Sequence, residues 1–251
     1  SSVLVPLFER VRFWKSSLEH YHEVLELLME ETAHQPFPEL MQRQVLRPLG
    51  MTHSLFAQPL PEGLAGLAAQ AHTSTGEPLA GRWHTYPELA AAGLWSTPSD
   101  LARWLLALAR AANAREGALL SREVTRQMLT DHTPGLARWW SGHAYGLGLK
   151  LQGRGVSFSF GHTGINQGYR AVAVMYPRTG QGVVVMTNGE NGEALAREIV
   201  RGVATTYDWP EDHTSRTVWS ALAALALLSV ICWHQLRKPR LKRGRRVEEM
   251  E

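Results

Sequence analysis

Four consecutive residues, Gly161-His162-Thr163-Gly164, combine a titratable ring with small neighbours. An imidazole facing a groove donates to a substrate carboxylate or steadies a charge that develops during reaction. The glycines let a substrate approach the strand backbone, whose amides then serve as an oxyanion hole. An ordinary strand end with a surface histidine reads the same way in isolation, so the tetrapeptide needs its company to carry chemistry. His162, Thr163 and Gly164 are taken here as candidate groove-lining residues.

Other constellations point to less. His20-Tyr21-His22-Glu23 lacks the zinc spacing, because histidines two apart diverge on a helix. The remaining histidines are scattered, and no metal site is expected. There is no Gly-x-Ser-x-Gly elbow, phosphate loop or dinucleotide fingerprint, so no cofactor is expected. Cys232 is the only cysteine and reads as a small hydrophobe in an apolar run. Trp139-Trp140 reads as groove wall or packing. Residues 1–216 hold 19 basic and 20 acidic side chains, whereas 237–246 hold seven basic and none acidic. The basic balance therefore belongs to a tail, and the body has no electrostatic footprint for nucleic acid.

The elements that must position the tetrapeptide follow from periodicity. Ser16 to Ala33 predicts a helix, with Ser16 and Glu19 as a capping box and Val24, Leu25, Leu28 and Thr32 on its apolar face. A second helix is expected over about 39–47, ended by Pro48. Residues 52–88 are rich in Pro and Gly and read as binding loops. Thr97 is an N-cap, Pro98 takes the first helical position, and Asp100 suits the positive helix end, predicting a helix to about Ala112. A shorter helix is expected near 121–130. The period then changes to that of strands at Tyr145–Leu151, Val156–Phe160, Tyr169–Tyr176 and Gly182–Thr187, with a turn at 177–181. A helix over 191–206 closes the body. Helices, then consecutive strands, then a helix predict an α+β fold with an antiparallel sheet.

Four features now stand in order: Pro48-Leu49-Gly50-Met51; Ala92-Gly93-Leu94-Trp95-Ser96-Thr97-Pro98-Ser99-Asp100-Leu101; Tyr145-Gly146-Leu147-Gly148; and Gly161-His162-Thr163-Gly164, followed by Gly168-Tyr169 and a hairpin ending at Thr187-Asn188. Over about residues 16–207 the set resembles serine β-lactamases and penicillin-binding-protein-like hydrolases, in the branch of class C β-lactamases, DD-peptidases and family VIII esterases. The resemblance implies an antiparallel sheet flanked by helices, with a helical subdomain and a groove between them. It implies a serine in Ser-x-x-Lys that attacks an amide or ester carbonyl, activated by that lysine and by a Tyr-x-Asn tyrosine. It implies a third motif, in its His form here, along an edge strand.

Two of those three motifs are missing. The lysines are Lys15, Lys150, Lys238 and Lys242, and the residues three before them are Arg12, Leu147, Gln235 and Pro239. The place of Tyr-x-Asn falls near Ser16-Ser17-Leu18, and Tyr21 reads as a packing residue. No catalytic nucleophile or base is identified, and the chain as it stands is expected to be inactive. The alternative is a non-catalytic, membrane-anchored binding or regulatory module on the same fold.

Thr217 to Leu236 is a 20-residue run without formal charge, long enough as a helix for the hydrocarbon core, with Trp219 and Trp233 near its ends. The basic residues after it place residues 237–251 in the cytoplasm and the body outside. Membrane lipid is thus an expected partner, besides a small-molecule or peptide amide or ester substrate. A body that crosses first needs an export signal, and residues 1–15, read as an atypical junction, carry none. The sequence is therefore expected to continue upstream. The divisions are 1–15, 16–210, 217–236 and 237–251.

Overall fold

The computed structural model describes residues 19–114, 120–134 and 144–210. The Ser16 cap, Trp139-Trp140, the junction 1–15, the expected span 217–236 and the basic tail lie outside these residues. Among the described residues no helix is long and apolar enough to cross a membrane.

Helix α1 covers Glu19–Ala33. Its expected apolar face points inward only in part: Val24 is half-buried, but Leu25 is 53% and Leu28 47% exposed. The other half-buried positions include Glu26, Leu27, Glu30 and Ala33. The reason is electrostatic. Glu30 Oε1 accepts the Phe37 N–H (2.6 Å) at the start of α2, Phe37–Met41. Glu26 Oε2 accepts the Ala90 N–H (2.7 Å) in α3, Leu89–Ala92. Helix N-termini present unpaired amides and positive potential, and two carboxylates of α1 satisfy them. Burial raises the Glu26 carboxyl above its ordinary range; the Ala90 N–H opposes this, and Glu30, Glu23 and Glu88 add to it.

The second helix starts at Phe37, earlier than expected, and widens to a π-turn over Gln42–Leu46. Pro48 has no N–H to continue an α-helical ladder, and bonds five residues apart run on both sides of it. They join Arg47 N–H to Gln42 O (3.0 Å) and Met51 N–H to Leu46 O (2.9 Å). The chain then enters the irregular stretch expected over 52–88. Its two ends meet where strand β1, Leu55–Phe56, pairs antiparallel with β2, Leu94–Trp95.

Helix α4, Pro98–Ala112, starts as the sequence predicts, with Thr97 Oγ1 accepting the Asp100 N–H (3.2 Å) and Pro98 in the first turn. Asp100 does more than complement the helix end. Its side chain is fully buried (0%). It accepts the His53 N–H (2.8 Å), the Ser54 hydroxyl (2.8 Å) and Arg103 Nη1 (2.9 Å). Burial alone would raise its carboxyl, but the bonds from Ser54 and His53 and the Arg103 charge outweigh it and hold the group below the ordinary carboxylate range. Helix α5 follows at Arg122–Met128, capped by Ser121.

Five antiparallel strands form the sheet in chain order: β3 (Ala144–Tyr145), β4 (Lys150–Gln152), β5 (Ser159–Asn166), β6 (Tyr169–Tyr176) and β7 (Gln181–Thr187). The expected strand 145–151 is two short strands. Leu147 N–H bonds Met128 O (3.1 Å), a Cβ on Gly146 would overlap that same oxygen, and Gly148 turns the chain with φ +74°. The expected strand 156–160 begins late, after a 3-10 turn at Gly155–Ser157, and continues through the tetrapeptide. Strand β7 and helix α6, Gly192–Thr206, lie where the sequence places them.

Strand alternation sorts β5 onto two faces. Phe160 joins Leu105, Leu108 and Ala109 of α4 with Leu149, Leu151 and Met175 in the core. His162, two residues on, shares that face. Gly161, Thr163 and Ile165 point to the other face, which α6 covers over β6 and β7: Ala196 is buried there, and a Cβ on Gly192 would overlap the Thr187 side chain. A Cβ on Gly161 would overlap the Ala173 carbonyl oxygen of β6 and lie 3.2 Å from Val174 Cα, whereas one on Gly164 would meet Ala171 Cβ at 3.4 Å, an ordinary contact.

Two stability predictions follow from these contacts. Asp100→Ala strands buried donors and should cost about 2–4 kcal/mol in urea unfolding. Because the folded carboxyl lies low, its contribution is complete above its unfolded value of about 3.9 and fades as pH falls through the folded value; Asp100→Asn should flatten the pH dependence of unfolding in that acid range. Gly161→Ala should cost about 1–3 kcal/mol through overpacking, while Gly164→Ala should change stability by less than about 1 kcal/mol. Equal costs for the two glycines would contradict the register.

Candidate functional site

The three groove-lining candidates sit together on β5, but not on a simple edge strand. Strand β5 is third of five, and its pairing with β4 ends at Lys150↔Gly161. From His162 to Asn166 it pairs with β6 on one side only. No described strand covers the other side. Among the described residues, the tetrapeptide therefore marks the point where an inner strand becomes an edge, with main-chain groups that suit an extended ligand.

His162, Thr163, Gly164 and Ile165 are all exposed, with Ile165 at 67%. The His162 ring makes no hydrogen bond to any described residue. It lies on the α4 face of the sheet, beside the open edge. Lys150 is the only lysine among the described residues. Its partner in register is Gly161, so it points to the α6 face, away from His162. Burial, then the Arg197 charge, lowers its ammonium from the ordinary lysine range.

The far end of the open edge is closed by the loop before α4. Asn166 Nδ2 donates to Ala92 O (3.3 Å), the Gln167 N–H donates to the Tyr86 hydroxyl (2.8 Å), and the Tyr169 hydroxyl donates to Ala69 O (2.6 Å). Trp95 stands edge-on to Tyr169 and Trp83, at 6.3 and 5.1 Å between ring centres. Burial pushes the Tyr169 phenol up, against the Arg82 charge. Gly168 turns with φ +78° where a Cβ would overlap Ala71. The same loop reaches the end of β7, where the His72 N–H bonds Asn188 O (2.9 Å) and Asn191 Nδ2 bonds Ser74 O. Sequence reading placed binding loops at 52–88 but did not find Tyr86, Asn166 and Tyr169 as their anchors. The only local signal was an aromatic-rich stretch, Trp83 to Trp95.

One hydroxyl–carboxylate pair invites comparison with a nucleophile and its base. Ser54 Oγ lies 2.8 Å from Asp100 Oδ2 and 2.8 Å from Ser96 Oγ. Both Ser54 and Asp100 are buried, and Asp100 is held ionised by three donors. The pair is a structural staple that a substrate does not reach. No group of three metal-ligating side chains occurs among the described residues. The site as described offers an open strand edge, an imidazole beside it and an aromatic-backed loop at its end.

Residues 6–206 match the family described as Beta-lactamase, a span that takes in part of the 1–15 segment. No curated protein matches the chain. Among solved structures it is similar to the octameric penicillin-binding protein homologue from Pyrococcus abyssi, with 22% identity over 70% of this chain and 39% of that one, at a TM-score of 0.56. It is similar to the D-alanine carboxypeptidase from Burkholderia cenocepacia, with 17% identity over 80% and 67%, at 0.61. It is also similar to the D-amino acid amidase from Ochrobactrum anthropi SV3, with 19% identity over 70% and 50%, at 0.55. The matched part thus spans between 39% and 67% of these three structures, and at such identities they establish the fold alone. With an α+β architecture, an antiparallel sheet between helices and a family match across most of its length, this chain belongs to the Beta-lactamase family.

Proposed function

We propose that this chain supplies the substrate-lining wall of a β-lactamase-related serine hydrolase, with His162, Thr163 and Gly164 holding an amide or ester substrate along β5. The observation that carries the reading is the half-open strand: pairing to β4 stops at Gly161, and the exposed residues begin at His162. A small amide or peptide fits the chemistry of that edge. Main-chain groups bind an extended backbone, and His162 offers a charge-assisted bond to a carboxylate or a developing oxyanion. The amidase named above was solved with L-phenylalanine amide.

Acyl transfer needs an activated nucleophile with its base in reach. This sequence contains neither Ser-x-x-Lys nor Tyr-x-Asn at the expected place. The reading is therefore that the chain as it stands binds but forms no acyl-enzyme. The run 217–236 anchors it in a membrane, with the body outside the cytoplasm, the basic tail inside and lipid as a partner.

The test is a fluorescent penicillin. The purified chain should show no label that survives denaturing electrophoresis, yet it should bind a D-alanine-terminated peptide saturably. His162→Ala should weaken that binding about tenfold, the loss of one charge-assisted hydrogen bond. A covalent band would sink the claim that the nucleophile is missing; unchanged affinity in the variant would remove His162 from the groove.

A further inference from the structure

We propose that the groove between α2 and β1 is a second binding site, for a small amphiphilic anion with an apolar body and one carboxylate. This shallow surface groove, about 420 Å³ and widely open to solvent, contains none of the residues of the open β5 edge. Pro38, Leu55 and Phe56 line it, and Phe56 is held from behind by Phe37, edge-on at 5.1 Å between ring centres. The apolar surface is therefore fixed before anything binds.

The polar side of the groove is cationic. Arg43 and Arg47 both line it, one turn apart, and both are exposed. Neither forms an ion pair with any described residue. Glu39, the one acid in the lining, is engaged by Gln35 Nε2 at 3.4 Å. Two guanidinium groups against the single Glu39 carboxylate leave the lining with an excess of positive charge, which a ligand carboxylate offsets through charge-assisted bonds. Their alkyl stems extend the apolar lining. The backbone supports the arrangement: Arg43 lies in the widened turn and Arg47 closes it through its N–H to Gln42 O, a departure from α-helical geometry that recurs at functional sites. Charge complementarity thus selects an anion, and the apolar lining selects one with a hydrophobic body over a bare inorganic ion.

The experiment uses the full chain and 4-phenylbutyrate as probe, followed by NMR through the amides of Leu55 and Phe56. Saturable binding is expected. The neutral 4-phenylbutanol and the tail-less acetate should each bind at least tenfold more weakly. The double variant Arg43→Gln, Arg47→Gln should lose at least tenfold in affinity while keeping the unfolding transition of the parent, since both side chains are exposed. Equal binding of the alcohol, or undiminished binding by the double variant, would overturn the anion site. Equal binding of acetate would overturn its apolar half, and an absence of saturable shifts at Leu55 and Phe56 would overturn the whole proposal.

Discussion

A single buried carboxylate fixes the start of α4 to the chain that leaves the π-turn. Asp100 stands in the first turn of α4 and takes bonds from His53 and Ser54, almost fifty residues earlier in the chain. An ion in such surroundings is tolerated only when its lone pairs are filled, and here three donors fill them. Through this contact the end of the π-turn segment is fixed to the start of the helix that backs the sheet. The β1–β2 pair beside it closes the same loop a second time. Closing a loop of this length has an entropic cost that grows slowly with length, so two closures at its neck leave the rest of the loop free in sequence while fixing where it emerges.

Where it emerges decides what stands at the far end of the β5 edge. The loop leaves β1, crosses to the end of β7, and returns past the β5–β6 turn to β2. On the way it meets Asn166, Gln167, Asn188 and Glu190 through hydrogen bonds that span 74 to 118 residues of sequence. One side of the candidate site is thus a strand whose geometry its β6 ladder fixes. The other is irregular chain, anchored at points and variable between them. Such a division allows one scaffold to keep its electrostatics while the loop changes what fits.

The parts of the fold that were legible in the sequence are those with local causes. The Thr97-Pro98 cap, the β6–β7 hairpin and α6 each carry their signal within a few residues. The parts that were not legible depend on distant partners. Leu25 and Leu28 sit at helical spacing, yet α1 turns Glu26 and Glu30 inward because two other helices present bare N-termini there. Tyr145 to Leu151 alternates as a strand should, but Met128 O occupies the path that a straight strand would take past Gly146. The site divides in the same way. The tetrapeptide identified the strand and the residues that become exposed on it. The contacts of Tyr86 and Tyr169 at the end of the β5 edge had only a weak local sign, the aromatic-rich stretch from Trp83 to Trp95, and the buried role of Asp100 had none, since in sequence it looks like any acid at a helix start.

The same division bears on what a retained motif can mean. Groups that act together in catalysis are strongly non-additive: with the nucleophile and base removed, hydrogen-bond donors and binding alone still leave rates about 10³–10⁴ above water in well-studied proteases. A groove with His162 and an open strand edge could therefore show faint hydrolysis without being an acyl-transfer enzyme. Slow turnover would be compatible with either reading of this chain. A covalent intermediate is compatible with only one, because no arrangement of donors forms a bond to the substrate. On the proposed reading, the strand edge at His162 accounts for how a substrate is held and leaves the chemistry of attack to other residues.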